Sequence, residues 1–261
     1  MQSYAIRVEY DGTNYVGYQV QPNGPSIQSQ IEKALQLMAK LPKDQFIPTI
    51  GSGRTDSGVH AKGQVVQFDY PAEIRPENLL RALNSILPDD IRVNAAALVA
   101  EDFHARYSAI SKTYRFVVNN ERFPDPFTRL YSLHHPYRCD IERMQEAIEF
   151  IVGTHDFTSF CSTKTDKTNL VRTIYEASVT YDAPHFIFEF KGNGFLYNMI
   201  RILVGTLLQI GDGLKPVDEL ERLLKVMDRN EAGPTANGNG LYMMEVGYSE
   251  DPFSGPDAYT L

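Results

Sequence analysis

Apolar and polar positions alternate from Tyr4 to Tyr10, which predicts a strand, and a polar loop marked by Gly and Pro follows from Asp11 to Pro25. Ile27, Ile31, Leu35 and Met38 then recur at helical spacing behind Ser26, a good N-cap, and Pro42 closes the segment. A short strand is expected over Phe46 to Ile50 and another over Gly63 to Tyr70, the two flanking a glycine-rich loop. Pro76 suits a first helical turn, Leu79, Leu80, Leu83 and Leu87 form an apolar stripe, Pro88 stops it, and Ile91 to Val99 reads as a strand. The order is β-α-β-β-α-β.

The second half repeats it. Lys112 to Val118 reads as a strand, Asp140 to Val152 as a helix ending at Gly153, Val171 to Tyr181 and Phe186 to Phe190 as strands, and Leu196 to Ile210 as a helix. A further helix starts near Pro216 with Leu220, Leu223, Leu224 and Met227 on one stripe, and Leu241 to Tyr248 supplies a last strand. The split β-α-β pattern occurs twice. The expected class is therefore α+β: two ferredoxin-like halves, residues 1–105 and 106–261, with a joined antiparallel sheet, helices on one face and a cleft on the other.

Composition changes little in this picture. With 261 residues and 43% apolar content the chain can bury a substantial core. Cys139 and Cys161 are far apart, so neither a disulfide framework nor a zinc ribbon is suggested, and a reducing compartment, the cytoplasm, is the natural reading. The first residues lack the apolar core of a signal peptide, and no apolar run is long enough to span a membrane. Net charge is −8, but it is segregated: Phe103 to Arg138 carries six Lys or Arg against Glu121 and Asp125, whereas Leu214 to Leu261 carries four basic and nine acidic residues. An acidic chain of this kind can still hold a basic cleft against phosphates, although a uniformly solvated surface is equally compatible with the sequence.

The loop Gly51-Ser-Gly-Arg-Thr-Asp-Ser-Gly58 is the most informative stretch. Its glycines permit unusual backbone angles and close approach while Arg54 and Asp56 are presented between them. A phosphate cradle fits poorly, since a P-loop needs Gly-Lys-Ser/Thr and the dinucleotide fingerprint would place a glycine where Asp56 stands. On spacing alone, glycines around an acid are more often a plain turn. The six histidines (60, 104, 134, 135, 155 and 185) show no metal-ligand pairing and the cysteines no cluster, so no metal site is expected; His60, His104 and His155 read as structural or phosphate-contacting.

The run Gly51 to Ala61, Gly-Ser-Gly-Arg-Thr-Asp-Ser-Gly-Val-His-Ala, closely resembles the signature loop of the tRNA pseudouridine synthase A family. The resemblance continues through Tyr10-Asp-Gly-Thr, Gln19-Val-Gln-Pro22, Phe103 to Ser108, Lys112-Thr-Tyr114, Gly153 to Phe157, Phe195 to Arg201 and Gly240-Leu241, essentially the whole chain. It departs at Tyr18, where the family usually has tryptophan, and at Asn237-Gly-Asn239, which replaces a more proline-rich stretch.

The resemblance implies two ferredoxin-like halves with the site between them, and a cofactor-independent isomerase that flips uridines 38, 39 and 40 out of the anticodon arm of tRNA. It also implies a homodimer. It makes Asp56 the catalytic carboxylate, as nucleophile or as base toward the sugar, and Arg201 its partner. Arg201 interrupts an otherwise apolar helix, where an arginine either takes a counter-charge or snorkels to solvent. Tyr114 would stack on the flipped base, Arg54 would fill the space it vacates or grip phosphate, and Leu241 would wall the pocket; by residue type alone, Tyr114 and Leu241 are ordinary sheet positions. A non-catalytic RNA-binding module on RRM-like sheets is the rival from another class, but an ionised Asp beside phosphates would only repel them. A carboxylate-dependent glycoside hydrolase would need a second acid near the first, and the loop has none.

Overall fold

The structure is a computed structural model and describes residues 1–163 and 168–261. Its chain divides into two compact units, Met1–Ile110 with Met243–Leu261, and Ser111–Tyr242. Both mix helices with antiparallel strands, so the α+β class holds.

In the first unit, β1 (Gln2–Tyr10) turns Tyr4, Ile6, Val8 and Tyr10 into the core. On its other face Glu9 lies beside Lys62 and Arg92, and Arg7 donates to Asn94 Oδ1. The strand lies between β3 (His60–Tyr70) and β4 (Ile91–Leu98), antiparallel to both; β2 (Ile50–Gly51) pairs with β3 and β11 (Ala258–Thr260) with β4. The order β4-β1-β3-β2 is what two split β-α-β crossovers produce. α1 (Ile27–Met38) starts from a capping box in which Ser26 and Ser29 exchange bonds, and it buries Ile27, Ile31, Ala34 and Leu35. α2 (Pro76–Asn84) packs against α1 and β4 through Leu79, Leu80 and Leu83.

In the first unit, two boundaries differ from the sequence reading for a visible reason. The strand expected over Phe46 to Ile50 shrinks to Ile50–Gly51: Pro48 has no N–H, while the Thr49 N–H bonds Glu32 Oε1 and the Thr49 carbonyl accepts from Gln28 Nε2. Helix side chains thus satisfy backbone groups that a sheet neighbour would otherwise take. α2 ends at Asn84, with Leu87 still buried in the turn beyond it.

In the second unit β5 (Ala109–Asn119) pairs with β9 (His185–Gly192), β9 with β8 (Val171–Asp182), and β8 with β7 (Gly153–Asp156), all antiparallel; β6 (Leu133–His134) runs parallel to β5. Facing pairs Tyr114–Phe190 and Phe116–Phe188 place aromatic rings opposite one another along β5 and β9, and Phe186 faces Val118. α3 (Ile141–Ile148) is capped by the Asp140 carboxylate and runs into a single 3₁₀ turn. It packs on β8 and on α4 (Met199–Gly211), which is buried nearly all round. Gly205 makes that burial possible, because a Cβ there would lie 1.9 Å from the Pro234 carbonyl oxygen. α4 begins at Met199 rather than Leu196, behind Asn198 in the left-handed region (φ 61°). In α5 (Glu219–Val226), Leu220, Leu223 and Leu224 form the expected stripe, but Met227 is the left-handed residue that closes the helix and is half exposed.

The last long strand, β10 (Leu241–Tyr248), begins in the second unit and continues into the first, where it lies beside β3. Gly63 of β3 lets it approach closely, a Cβ at Gly63 falling 2.4 Å from the Met244 oxygen.

Candidate active site

The first unit holds the acidic loop in place by two sets of bonds. At its start, the Ser52 N–H donates to Val65 O at 2.8 Å, the buried Ser52 hydroxyl donates to Gln64 Oε1, and Gln64 Nε2 donates to Gly53 O at 2.8 Å. Gln64 occupies a position of β3 opposite Val8, where the strand pattern calls for an apolar residue. Its amide serves the loop instead, and both partners are fully buried.

The second set comes from residues 10–18, wrapped around the far side of the loop. Tyr18 N donates to Thr55 O at 3.0 Å, the Tyr10 and Thr55 hydroxyls share a 2.8 Å bond, and the Ser57 hydroxyl and Gly58 N–H both reach Tyr15 O. Gly17, at φ +120°, comes so close that a Cβ would lie 2.6 Å from Thr55 O, and one on Gly12 would lie 2.0 Å from Val59 O. Gly51 similarly yields to the Tyr18 ring. Burial pushes the Tyr10 and Tyr18 phenols well above the usual range, so both stay neutral near pH 7. At the exit of the loop, His60 Nδ1 accepts from the Gly12 N–H at 3.1 Å. That bond makes Nδ1 an acceptor, so its 3.2 Å approach to Asp11 Oδ1 is not an ion pair in the same protonation state. His60 is thus structural, one of the two roles read for it.

Between these anchors the chain turns, with Val59 N donating to Asp56 O at 3.2 Å. Asp56 is half-buried and Arg54 exposed. The loop is a fixed scaffold that presents one carboxylate and one guanidinium, not a plain solvated turn.

The other predicted residues belong to the second unit. Tyr114 is 8% exposed on β5, and its ring meets Phe195 edge-on at 5.2 Å. Arg201, half-buried on the first turn of α4, donates through Nε to Ala236 O at 2.7 Å and through Nη1 to Asn198 Oδ1 at 2.8 Å. Its guanidinium is therefore gripped rather than loose in solvent. Leu241 is buried where β10 leaves the turn Gly238–Gly240, and Asn239 fixes that turn by donating to Arg129 O and Ser132 O at 2.9 and 2.8 Å. Asn239 lies in one of the stretches that depart from the family pattern, and it secures the same turn by its own side chain.

The bracing residues Tyr10, Gly17, Ser52 and Gln64 escaped the sequence reading. Tyr10 and Ser52 stand in the quoted motifs without a role of their own, and Gln64 left a separate signal as a polar side chain at an inward position of a strand.

A sequence model described as tRNA pseudouridine synthase matches residues 6–108 and 147–249, two segments that contain Arg54, Asp56, Arg201 and Leu241 but not Tyr114. The chain is similar to tRNA pseudouridine synthase A of Latilactobacillus sakei, 50% identical over 249 residues, covering 95% of this chain and 99% of that protein. It is similar also to tRNA pseudouridine synthase A of Bacillus subtilis, 49% identical over 241 residues, covering 92% and 97%. Fold and match together define an isomerase. The chain belongs to the tRNA pseudouridine synthase family.

Proposed function

We propose that this protein converts uridine to pseudouridine in the anticodon arm of tRNA, at nucleotides 38, 39 and 40, with Asp56 as the catalytic carboxylate. The reaction breaks the C1′–N1 bond, turns the uracil in place and joins C5 to C1′, so it needs a carboxylate held against the nucleoside and a pocket that keeps the base from escaping. The observation that carries this reading is the doubly anchored loop that fixes Asp56 within the first unit. The family match spans the loop that carries Asp56.

Arg201 is assigned as the charge partner that keeps Asp56 ionised, and the anchoring of its guanidinium by Ala236 and Asn198 supports a fixed role. Tyr114, backed by Phe195, is assigned to stack on the extruded base, Leu241 to wall the pocket, and exposed Arg54 to take the vacated space or a phosphate. A homodimer working in the cytoplasm completes the proposal. Among the described residues no helix is long and apolar enough to cross a membrane.

The test is tritium release from tRNA labelled at uridine C5, with no cofactor added. Wild type should release label in proportion to pseudouridine mapped at the three positions. Asp56→Asn should release none above background, and substantial turnover by that variant would remove Asp56 from the chemistry.

A further inference from the structure

In the second unit, three unlike donors converge from residues given no role above. An imidazole, a thiol and a carboxylate from His135, Cys139 and Asp212 place their ligand atoms within 4.8 Å of one another. We propose that His135, Cys139 and Asp212 form a binding site for a divalent cation of the zinc class, which ties the segment after β6 to the ends of α3 and α4.

The donors come from three fixed pieces of backbone. The His135 N–H donates to Asn119 O at 2.8 Å, and its carbonyl accepts from Asn120 Nδ2. Cys139 immediately precedes Asp140, the N-cap of α3, whose own N–H bonds Gly211 O at 2.9 Å. Asp212 caps the C-terminus of α4, its N–H bonded to Leu208 O. Gly211 leaves room for the sulfur, since a Cβ there would lie 2.3 Å from Cys139 Sγ. A side chain at 211 would close the site.

The chemistry selects the class of ion. One nitrogen, one sulfur and one oxygen suit a borderline-soft cation that accepts tetrahedral geometry with an open fourth position, and they suit calcium or magnesium poorly. His135 Nε2 and Asp212 Oδ1 are 2.9 Å apart, a hydrogen-bond distance. The edge of a tetrahedron with ligands at 2.0–2.1 Å is about 3.3 Å, so an ion replaces the shared proton if the two side chains part by a few tenths of an ångström. Both are only slightly exposed, at 13% and 14%. A bound cation supplies the charge that lets the Cys139 thiol ionise. The nearby Arg143 is engaged with Ile210 O and Lys215 O, and Met144 Sδ lies 3.6 Å from the Cys139 sulfur.

The experiment uses untagged full-length protein stripped by chelator and titrated with Co²⁺, whose thiolate complexes absorb in the near ultraviolet. One equivalent should produce a sulfur-to-cobalt band, absent in Cys139→Ser and intact in Cys161→Ser, and His135→Gln should weaken binding by roughly tenfold or more. Zn²⁺ should displace the cobalt and raise the melting temperature of wild type but not of Cys139→Ser. A folded protein with no thiolate band at saturating Co²⁺ would overturn the proposal. So would a band that depends on Cys161.

Discussion

Replacing Gln64 by methionine keeps the volume and flexibility of the side chain but removes both polar atoms that hold the start of the Asp56 loop. The buried Ser52 hydroxyl then loses the acceptor at Gln64, and the part-buried Gly53 carbonyl loses the donor. At about 1–3 kcal/mol for a buried polar group that loses such a bond, the variant should lose at least about 1 kcal/mol, which a domain of ordinary stability survives. The loop can recover part of that only by shifting toward water, and a shift of about 1 Å at a catalytic group costs on the order of 100-fold in rate. Urea unfolding should therefore give a lower midpoint with an unchanged slope, and tritium release should give a kcat reduced by roughly 10- to 100-fold. Adding Ser52→Ala removes the hydroxyl that has lost its acceptor at Gln64, so the double variant should regain part of the stability lost by Gln64→Met while staying slow. If Gln64→Met unfolds at the wild-type urea concentration and keeps kcat within twofold, the anchoring described for this loop is wrong.

The other glycines near the loop separate conformational need from crowding. Gly17→Ala adds a Cβ 2.6 Å from Thr55 O at φ +120° and should cost well over about 2 kcal/mol and most of the activity, whereas Gly58→Ala, at φ +73° with open space around it, should cost only about 1–2 kcal/mol by denaturant unfolding. Ser26→Ala breaks the capping box of α1 and should lower stability by about 1 kcal/mol in the same assay, leaving kcat/KM unchanged. Hydrogen bonding from Arg222, then Lys215, holds the Glu219 carboxyl below the usual range, so its stabilisation is complete above the unfolded-state pKa and fades as pH falls through the lower folded one. The stability gap between wild type and Glu219→Gln should accordingly narrow as pH falls below the ordinary glutamate pKa of about 4.3, and a gap that widens on acidification would reverse the assignment.

Elements whose core contacts repeat with one period were legible in the chain itself: β1 from its alternation, and α1 from its stripe and the serine before it. What failed was decided by partners distant in sequence. Nothing in Phe46 to Thr49 announces that Glu32 and Gln28 will occupy the Thr49 backbone and keep it out of the sheet. The left-handed closure at Met227 was likewise hidden, because an apolar residue at the right spacing continues a stripe on paper whether or not the helix goes on. At the site, the glycines of residues 51–58 drew attention to Asp56, yet the steric demand lies largely in the wrapping segment. Gly58 has open space around it, while Gly12 and Gly17 touch the loop backbone. Only the fold brings those residues together.

The charge balance shows the same difference between chain order and space. The acidic stretch after Leu214 repels a polyanion, but three of its nine acidic residues are engaged internally: Glu219 with Lys215 and Arg222, Glu231 with Arg222, and Glu221 with Lys225. The basic stretch from Phe103 is spent less on carboxylates. Arg115 pairs with Glu189, but Arg106 and Arg122 lie over the rings of Tyr107 and Phe123, which are 78% and 71% exposed. A guanidinium stacked on an exposed ring keeps its charge and its donors while the ring fixes its position. A net charge of −8 therefore says little about affinity for a phosphate chain, which depends on how many such cations displace counterions at the contact. The slope of binding against salt, and not the isoelectric point, is the quantity that measures it.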